Sequence, residues 1–489
     1  LHSTGMSDTE KTLSWILKGG LLATPFLVFI VTRPLYFPFI TGKNFTFRIL
    51  VELLAIAWVY AAFRFKRFRP CPTALTIAVT VFIAALGIAT ALSISPYRSF
   101  WSSFERMEGY FGLLHLFLYF LLLGSVFRTP REWNTFFHTS LAASVLVSFY
   151  GILQLGGSFA IHQGGTRLDA TLGNATYLAA YLLFHLFLLI WFFLRTDSRG
   201  LRAVYGAAFL LEAFVLYYTA TRGAILGFIG GLFLLGALLA ILARGTMRRW
   251  AFGGLGIIIL VPAVFFLVKD TAFVRQSPVL DRFASISRQE TTTRARFTIW
   301  KMALRGWQER PIAGWGQESF TYVFSKHYEP SLWSQEPWFD RAHNVFLDWL
   351  IAGGVLTLFS YLGMFVVAGW ILIRGWRSGA FDTVSFSVLA SLLAAHFFQI
   401  LFVFDNLTSY LLFFAVLAYI DVSARRPMRA STSGDRPGIA IAAVIVAFVL
   451  IMPLLYLGNI RPIRAAHAIL LGLQINQTHE PAGRVDAVI

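Results

Sequence analysis

Hydrophobic positions in this chain fall into long uninterrupted blocks, and polar positions collect in the gaps between them. Pro72 to Ser93 and Gly223 to Ala243 carry no charge and are long enough, as helices, to cross a hydrocarbon core of about 30 Å. The same reading along the chain predicts thirteen spans, near 12–32, 49–63, 72–94, 109–127, 136–156, 175–194, 203–221, 223–243, 251–268, 344–372, 383–404, 407–424 and 438–457. The ten-residue alternating segments of a transmembrane β-barrel do not occur. The expected fold is an all-α polytopic membrane protein with about 13 transmembrane helices.

One gap differs from the others. Residues 269–343 form a long polar interval with aromatics of its own. Within it Phe297, Trp300, Leu304 and Trp307 recur at helical spacing, while Arg294, Arg296, Lys301 and Arg305 take other faces. That pattern predicts an amphipathic helix at the membrane surface, ended by Pro311 and the glycines of "PIAGWG". The chain then divides into spans one to nine (6–268), the large loop (269–343), spans ten to thirteen (344–457) and a tail (458–489). The tail starts like a helix and reads as the lead into a further region. Leu1 to Gly5, before Met6, read as an expression remnant. No internal repeat is visible.

Composition agrees with the membrane reading: 57% of the 489 residues are hydrophobic and 13% charged, with a mean hydropathy of +0.67. A single cysteine, Cys71, excludes an internal disulfide and any multi-cysteine metal site. The net charge of +17 could suggest nucleic acid until it is placed on the topology. Alternate gaps, around Arg64–Arg69, Arg128–Arg131, Arg195–Arg202, Arg244–Arg249, Arg374–Arg377 and Arg425–Arg436, hold eighteen lysines and arginines. The short gaps of the other side hold seven: Arg33, Lys43, Arg48, Arg98, Arg106, Arg167 and Arg222. The positive-inside rule puts the first set in the cytoplasm, the N-terminus inside, and the C-terminus and the large loop outside. The charge then needs no nucleic acid to account for it.

Ionisable residues at the outer ends of the spans are where chemistry is expected, because lipid disfavours them. "TATRGAILG" puts Arg222 between two apolar spans; the plain alternative is a snorkelling anchor. "TTTRARFTIWKMALRG" supplies Arg294 and Arg296, which as a solvated face could simply meet anionic headgroups. "TRLDATLGNATYLAAYL" brings Arg167 and Asp169, then Gly173 and Asn174 at a helix mouth, where Asn174 would also serve as an N-cap. "RAHN" sets Arg341, His343 and Asn344 at the start of another span. Several guanidiniums can bind a diphosphate through their forked donors, and an imidazole can take the proton of an attacking hydroxyl. Together they suit glycosyl transfer from a lipid-linked donor. No D-x-D metal pair and no Walker-A glycine loop occurs, and the first outer gap, 33–48, has no carboxylate to act as a base. Arginines would therefore have to neutralise the diphosphate.

These segments resemble the O-antigen ligase, or O-antigen polymerase-like, superfamily. "TLGNATYLAAYL" is similar to its G-N-x-N-like segment, with Thr176 in place of the second asparagine; "TATRGAILG" is similar to its T-x-S/T-R-G turn. "RPIAGWGQESF" and "AHNVFLDWLIAGGVL" resemble its P-x-x-G-x-G and H-N-x-x-L-x-x-x-x-x-G-G pair. The resemblance implies a GT-C-like enzyme of the bacterial inner membrane. Such an enzyme works at the periplasmic face, inverting and metal-independent, without a cofactor. It moves a glycan from an undecaprenyl-diphosphate carrier to a hydroxyl of lipid A-core, a glycan or a protein. It implies His343 and Arg222 as catalytic residues, Arg167, Arg222, Arg294, Arg296 and Arg341 on the donor diphosphate, and Asn344, Asn174 and Asp169 behind them. Some members continue into a periplasmic helical-repeat region. The alternative is a transporter or flippase of an anionic lipid-linked saccharide, for which Glu212, His185 and His396 are the midplane candidates.

Overall fold

The computed structural model describes residues 7–285, 291–333, 338–425 and 437–477. Arg426, Arg429 and Arg436 of the arginine-rich gaps, and the tail beyond Gln477, lie outside the described residues. Among those described there is helix and no strand. The first part holds α1 (Asp8–Ala23), continued by a 3-10 turn to Phe29, then α2 (Thr41–Arg64) and α3 (Ala74–Ala91). A short α4 (Pro96–Trp101) leads into α5 (Tyr110–Val126) and α6 (Pro130–Leu155). Next come α7 (Ala175–Arg195), α8 (Arg199–Tyr218), α9 (Arg222–Leu242) and α10 (Gly245–Val268). The large loop contains α11 (Ala272–Gln276), α12 (Pro278–Ala284), α13 (Thr291–Glu309) and α14 (Phe320–Lys326). It is followed by α15 (Val345–Arg377), α16 (Thr383–Gln399) and α17 (Leu407–Ser423). A π turn at Tyr456–Ile460 joins the last two helices, α18 (Pro437–Leu455) and α19 (Arg461–Gln477).

Among the described residues ten helices are long and apolar enough to cross a membrane, and each occupies one of the expected blocks. The other three blocks hold shorter apolar helices, α5, α16 and α17, each of 17 residues. That length lies at the lower limit for crossing the hydrocarbon core. The starts follow local rules. Thr129 and Glu132 close a capping box on α6 with Pro130 in its first turn, and Asn174, Asn344, Asp382 and Asn406 cap α7, α15, α16 and α17 with their side chains.

Packing sorts the helices by depth. α7 and α17 are almost wholly buried and form the centre, whereas α10 and α18 show most of their apolar surface. In lipid, close approach rather than apolar burial drives association. α9 accordingly presents Gly227 and Gly231 to α16, where an added Cβ at Gly231 would meet that of Ala395 at 2.7 Å. The bundle has two faces, on which helix ends meet. On one, Arg128 bonds the carbonyls of Arg67 and Arg69, and Arg195 faces Asp382. On the other lie the large loop and the shorter gaps, here called the loop face.

Two expectations are corrected. α2 begins at Thr41 rather than near 49, so Lys43 and Arg48 are buried helix residues and not loop charges. Neighbouring carbonyls make this possible: Lys43 Nζ donates to Ile30 and Thr171 (both 2.7 Å), and Arg48 Nη2 donates to Met107 (2.9 Å). The amphipathic helix exists as α13, but it buries Ala295, Ile299, Met302 and Ala303 in a small core with Phe320, Val323 and Phe324. Phe297 and Leu304 stay exposed at its flank. The loop packs on itself, so its best-buried row is the one that fits α14, not the one with the largest side chains.

Candidate functional site on the loop face

The two glycine motifs form one structural unit. α15 loses helical geometry at Gly353 and Gly354, which frees the carbonyls of Ile351 and Ala352. Trp315 N and Gly316 N donate to them (2.7 and 2.9 Å), and Val355 N donates back to Pro311 (2.9 Å). Gly354 has φ +61°, and a Cβ there would lie 2.3 Å from the Ile312 carbonyl; at Gly314 it would lie 2.5 Å from that of Ile351. The "PIAGWG" segment is thereby clamped to the broken helix. Ser99 Oγ, just before the end of α4, donates to Gln317 O (2.6 Å) and ties in a further gap.

This clamp delivers residues 338–344 to the mouth of α15. Ala342 N donates to Asp348 Oδ1 (2.8 Å), Trp300 Nε1 on α13 donates to Ala342 O (3.0 Å), and Val345 N donates to Ile400 O (3.0 Å). His343, fixed from both sides, is held at φ +52°, a left-handed conformation that histidine, asparagine and aspartate tolerate better than most side chains. Its ring is half-buried between Phe339 and Phe404, with centroids 5.6 and 5.4 Å away. Burial lowers its pKa to about 4, and the positive charges of Arg296 and Arg106 push the same way against Asp340. The imidazole is neutral at pH 7.

Two ion clusters frame it. Arg106 makes a two-pronged contact with Asp340 (2.5 and 2.9 Å), donates to Tyr177 Oη (3.1 Å), and stacks on Phe404 at 4.6 Å. Burial alone would raise the Asp340 carboxyl, but this contact holds it below the usual range. Arg341 is buried, and one guanidinium nitrogen serves both Glu108 (2.8 Å) and Glu318 (2.6 Å). Burial raises Glu108 to about 8 despite Arg341, as expected where two carboxylates share one cation.

The remaining residues expected at the site divide between this group and a second one. Arg222 opens α9 and donates to Ser285 Oγ at the end of α12 (3.2 Å). Arg167 donates to Thr219 O (3.3 Å) in the turn before Arg222; burial lowers it to about 10, and the like charge of Arg282 adds to that. Thr221 Oγ1 reaches Ala175 O (3.4 Å), so the mouth of α7 lies between the Arg222 turn and the Arg106–Tyr177 pair. Arg296 belongs with His343, while Arg294 is exposed on another side of α13. Asn174 and Asn344 are helix caps. Asp169 is buried and accepts from Gln154 Nε2 (2.7 Å) and His162 N (2.8 Å). Glu108, Glu318 and Asp340 carry no signal in the sequence, and Arg106 reads there only as a loop charge. Their ionic partners lie more than two hundred positions apart along the chain in the Arg106–Asp340 and Glu108–Arg341 pairs, and no local spacing marks them.

Non-glycine residues with positive φ gather in the same walls: Ser102, Met107, Ala220, Glu318 and His343. Such conformations cost free energy and persist where surrounding contacts over-determine them, most often at functional sites. Among the described residues no three His, Cys, Asp or Glu side chains are placed to hold a metal ion.

Fold and site define a polytopic helical membrane protein with a loop-covered, guanidinium-rich polar face. Residues 207–362, from α8 through the large loop to the middle of α15, match the family model described as O-Antigen ligase. The match, which covers less than half of the chain, supports the superfamily resemblance of the motifs, and members of that family are glycosyltransferase-like enzymes. None of the curated proteins compared matches the chain.

Proposed function

We propose that this protein transfers a glycan from an undecaprenyl-diphosphate carrier to a hydroxyl acceptor at the periplasmic face of the bacterial inner membrane. The observation that carries the reading is the clamped, neutral His343 at the mouth of α15, with the charge of Arg296 acting on it. The acceptor oxygen attacks the anomeric carbon, the bond from that carbon to the diphosphate oxygen breaks, and the hydroxyl proton passes to the imidazole. A single displacement inverts the anomeric centre. Arg222, Arg296 and Arg167, with Arg294 at the loop edge, neutralise the departing diphosphate without a metal, since a guanidinium keeps its charge and offers paired donors. Arg341 is engaged by Glu108 and Glu318, which suits positioning the His343 segment better than holding a phosphate.

A pKa near 4 makes His343 a weak base in the empty site. An incoming diphosphate offsets the charge of Arg296 and raises it toward the range where proton transfer is effective. Of the midplane candidates of the transporter alternative, Glu212 bonds Ser144 (2.5 Å) and His185 bonds Ser140 (2.8 Å), whereas His396 lies 3.8 Å from Asp405 without a hydrogen bond. That favours chemistry at the loop face. Incubating purified protein with a lipid-diphosphate glycan and hydroxyl acceptors, and reading products by mass spectrometry, tests the proposal. Transport of intact donor without any glycosylated product contradicts it.

A further inference from the structure

A second cavity opens on the loop face, apart from the Arg222–His343 site. It is a groove of about 590 Å³ between the N-terminal part of α2, α4 and the turn joining α18 to α19. Among the described residues two arginines line it, Arg48 and Arg461, and no carboxylate does. Arg48 is 2% exposed; Nη2 is satisfied by Met107 O, its guanidinium lies 5.2 Å from the Phe111 ring, and Nε has no partner. The acid nearest along the helix, Glu52, acts on Arg48 through its charge but makes its hydrogen bonds elsewhere, with His115 (2.9 Å) and Asn459 (3.0 Å to each oxygen). A buried cation with an unsatisfied donor, lining a cavity with no acid among its described lining residues, calls for an anion.

The other walls say which kind. Tyr97, Trp101 and Phe104 supply aromatic surface, and Tyr97 is 79% exposed. α18 packs mainly on α2 and otherwise shows its apolar surface, so this end of the groove borders the lipid. Aromatic residues and arginines at such a border suit the junction of headgroup and acyl chains. Ser103 lines the groove and also donates to Glu318 (3.4 Å), the partner of Arg341, so the groove and the His343 site share a thin wall.

We propose that this groove binds the phosphate-bearing headgroup of a membrane amphiphile, with Arg48 and Arg461 on the phosphate and the chains running out beside α18. The inference does not depend on the transfer reaction. The protein is reconstituted in vesicles containing phosphatidylglycerol with a photoactivatable acyl chain, and cross-linked peptides are mapped. Labelling is expected in residues 97–107 or 457–465. Arg461→Gln, on the exposed side of the groove, should lower it about tenfold, the effect of losing one charge-assisted contact. Ala465→Trp, which fills the groove, should do the same, with unchanged thermal unfolding in both variants. A diacylglycerol probe without phosphate should give only background, and millimolar inorganic phosphate should not compete. Equal labelling by diacylglycerol, labelling indifferent to both substitutions, or displacement by inorganic phosphate overturns the proposal; the last outcome would assign the groove to free phosphate.

Discussion

At position 343 a leucine would suit an apolar helix start, yet the backbone there is left-handed and the side chain faces the polar site. Asparagine tolerates the same backbone, so His343→Asn isolates the imidazole from the bend. We expect His343→Asn to fold normally and to lose about 100- to 10,000-fold in transfer, the usual worth of general-base assistance. Wild-type turnover in that variant would remove the base role. The lowered pKa also fixes a pH dependence. The basic form persists down to about pH 4, so the acid limb of kcat/KM should fall near 4 and not near 6.5. Arg296→Gln removes an opposing charge and should move that limb upward. Because the folded pKa lies below the unfolded one, this residue's contribution to stability is present above about 6.5 and is lost as pH falls toward 4. At Arg222, lysine keeps the charge but loses the fork. Arg222→Lys should therefore cost about 2–4 kcal/mol of barrier, or about 30- to 1000-fold in rate. Near-normal rates in both Arg222→Lys and Arg222→Ala would leave it as an anchor. Arg222 and His343 could be picked out as candidates from the sequence because Arg222 lies between two apolar spans and His343 closes a polar stretch at the start of another. Arg106 was read only as a loop charge, since its meaning lies in Asp340 and Tyr177, which folding brings to it.

Among the elements, the kink of α15 carries the most weight. The sequence shows a glycine pair and, some forty positions earlier, "PIAGWG"; only the fold shows that the freed carbonyls of one bind the amides of the other. Gly354→Ala places a Cβ at 2.3 Å from a backbone oxygen and at φ +61°. The strain alone is worth about 1–3 kcal/mol. We expect a lower unfolding temperature and faster tryptic cleavage within 291–333. Gly363→Ala, on the same helix with nothing within 4 Å, serves as the neutral control. If the two variants behave alike, the clamp does not hold the loop. α13 carries a similar lesson. Its amphipathic period was legible, but which row is buried depended on α14, which the period does not describe.

For the molecule as a whole, the charge asymmetry between gaps makes a directional statement. In a Cys71→Ser background, Ile312→Cys on the exposed loop surface should react with an impermeant thiol reagent in intact spheroplasts. Asp197→Cys, exposed between α7 and α8, should react only after lysis. The reverse pattern would invert the topology. Transfer should also persist in EDTA; complete loss, restored by magnesium or manganese, would contradict an arginine-only diphosphate site. By itself the sequence determined the membrane class and the helical blocks, because insertion into lipid depends on apolar length, which is a local property. It also marked the polar loop and the candidate arginines and histidine at the ends of the spans, since ionisable groups are costly enough at a membrane boundary to stand out. Only the tertiary structure decided that Lys43 and Arg48 are interior, that Arg341 is consumed by Glu108 and Glu318, and that Arg106 stands beside His343. Those outcomes depend on carbonyls and carboxylates supplied by distant segments, and a buried charge is tolerated only where such partners converge.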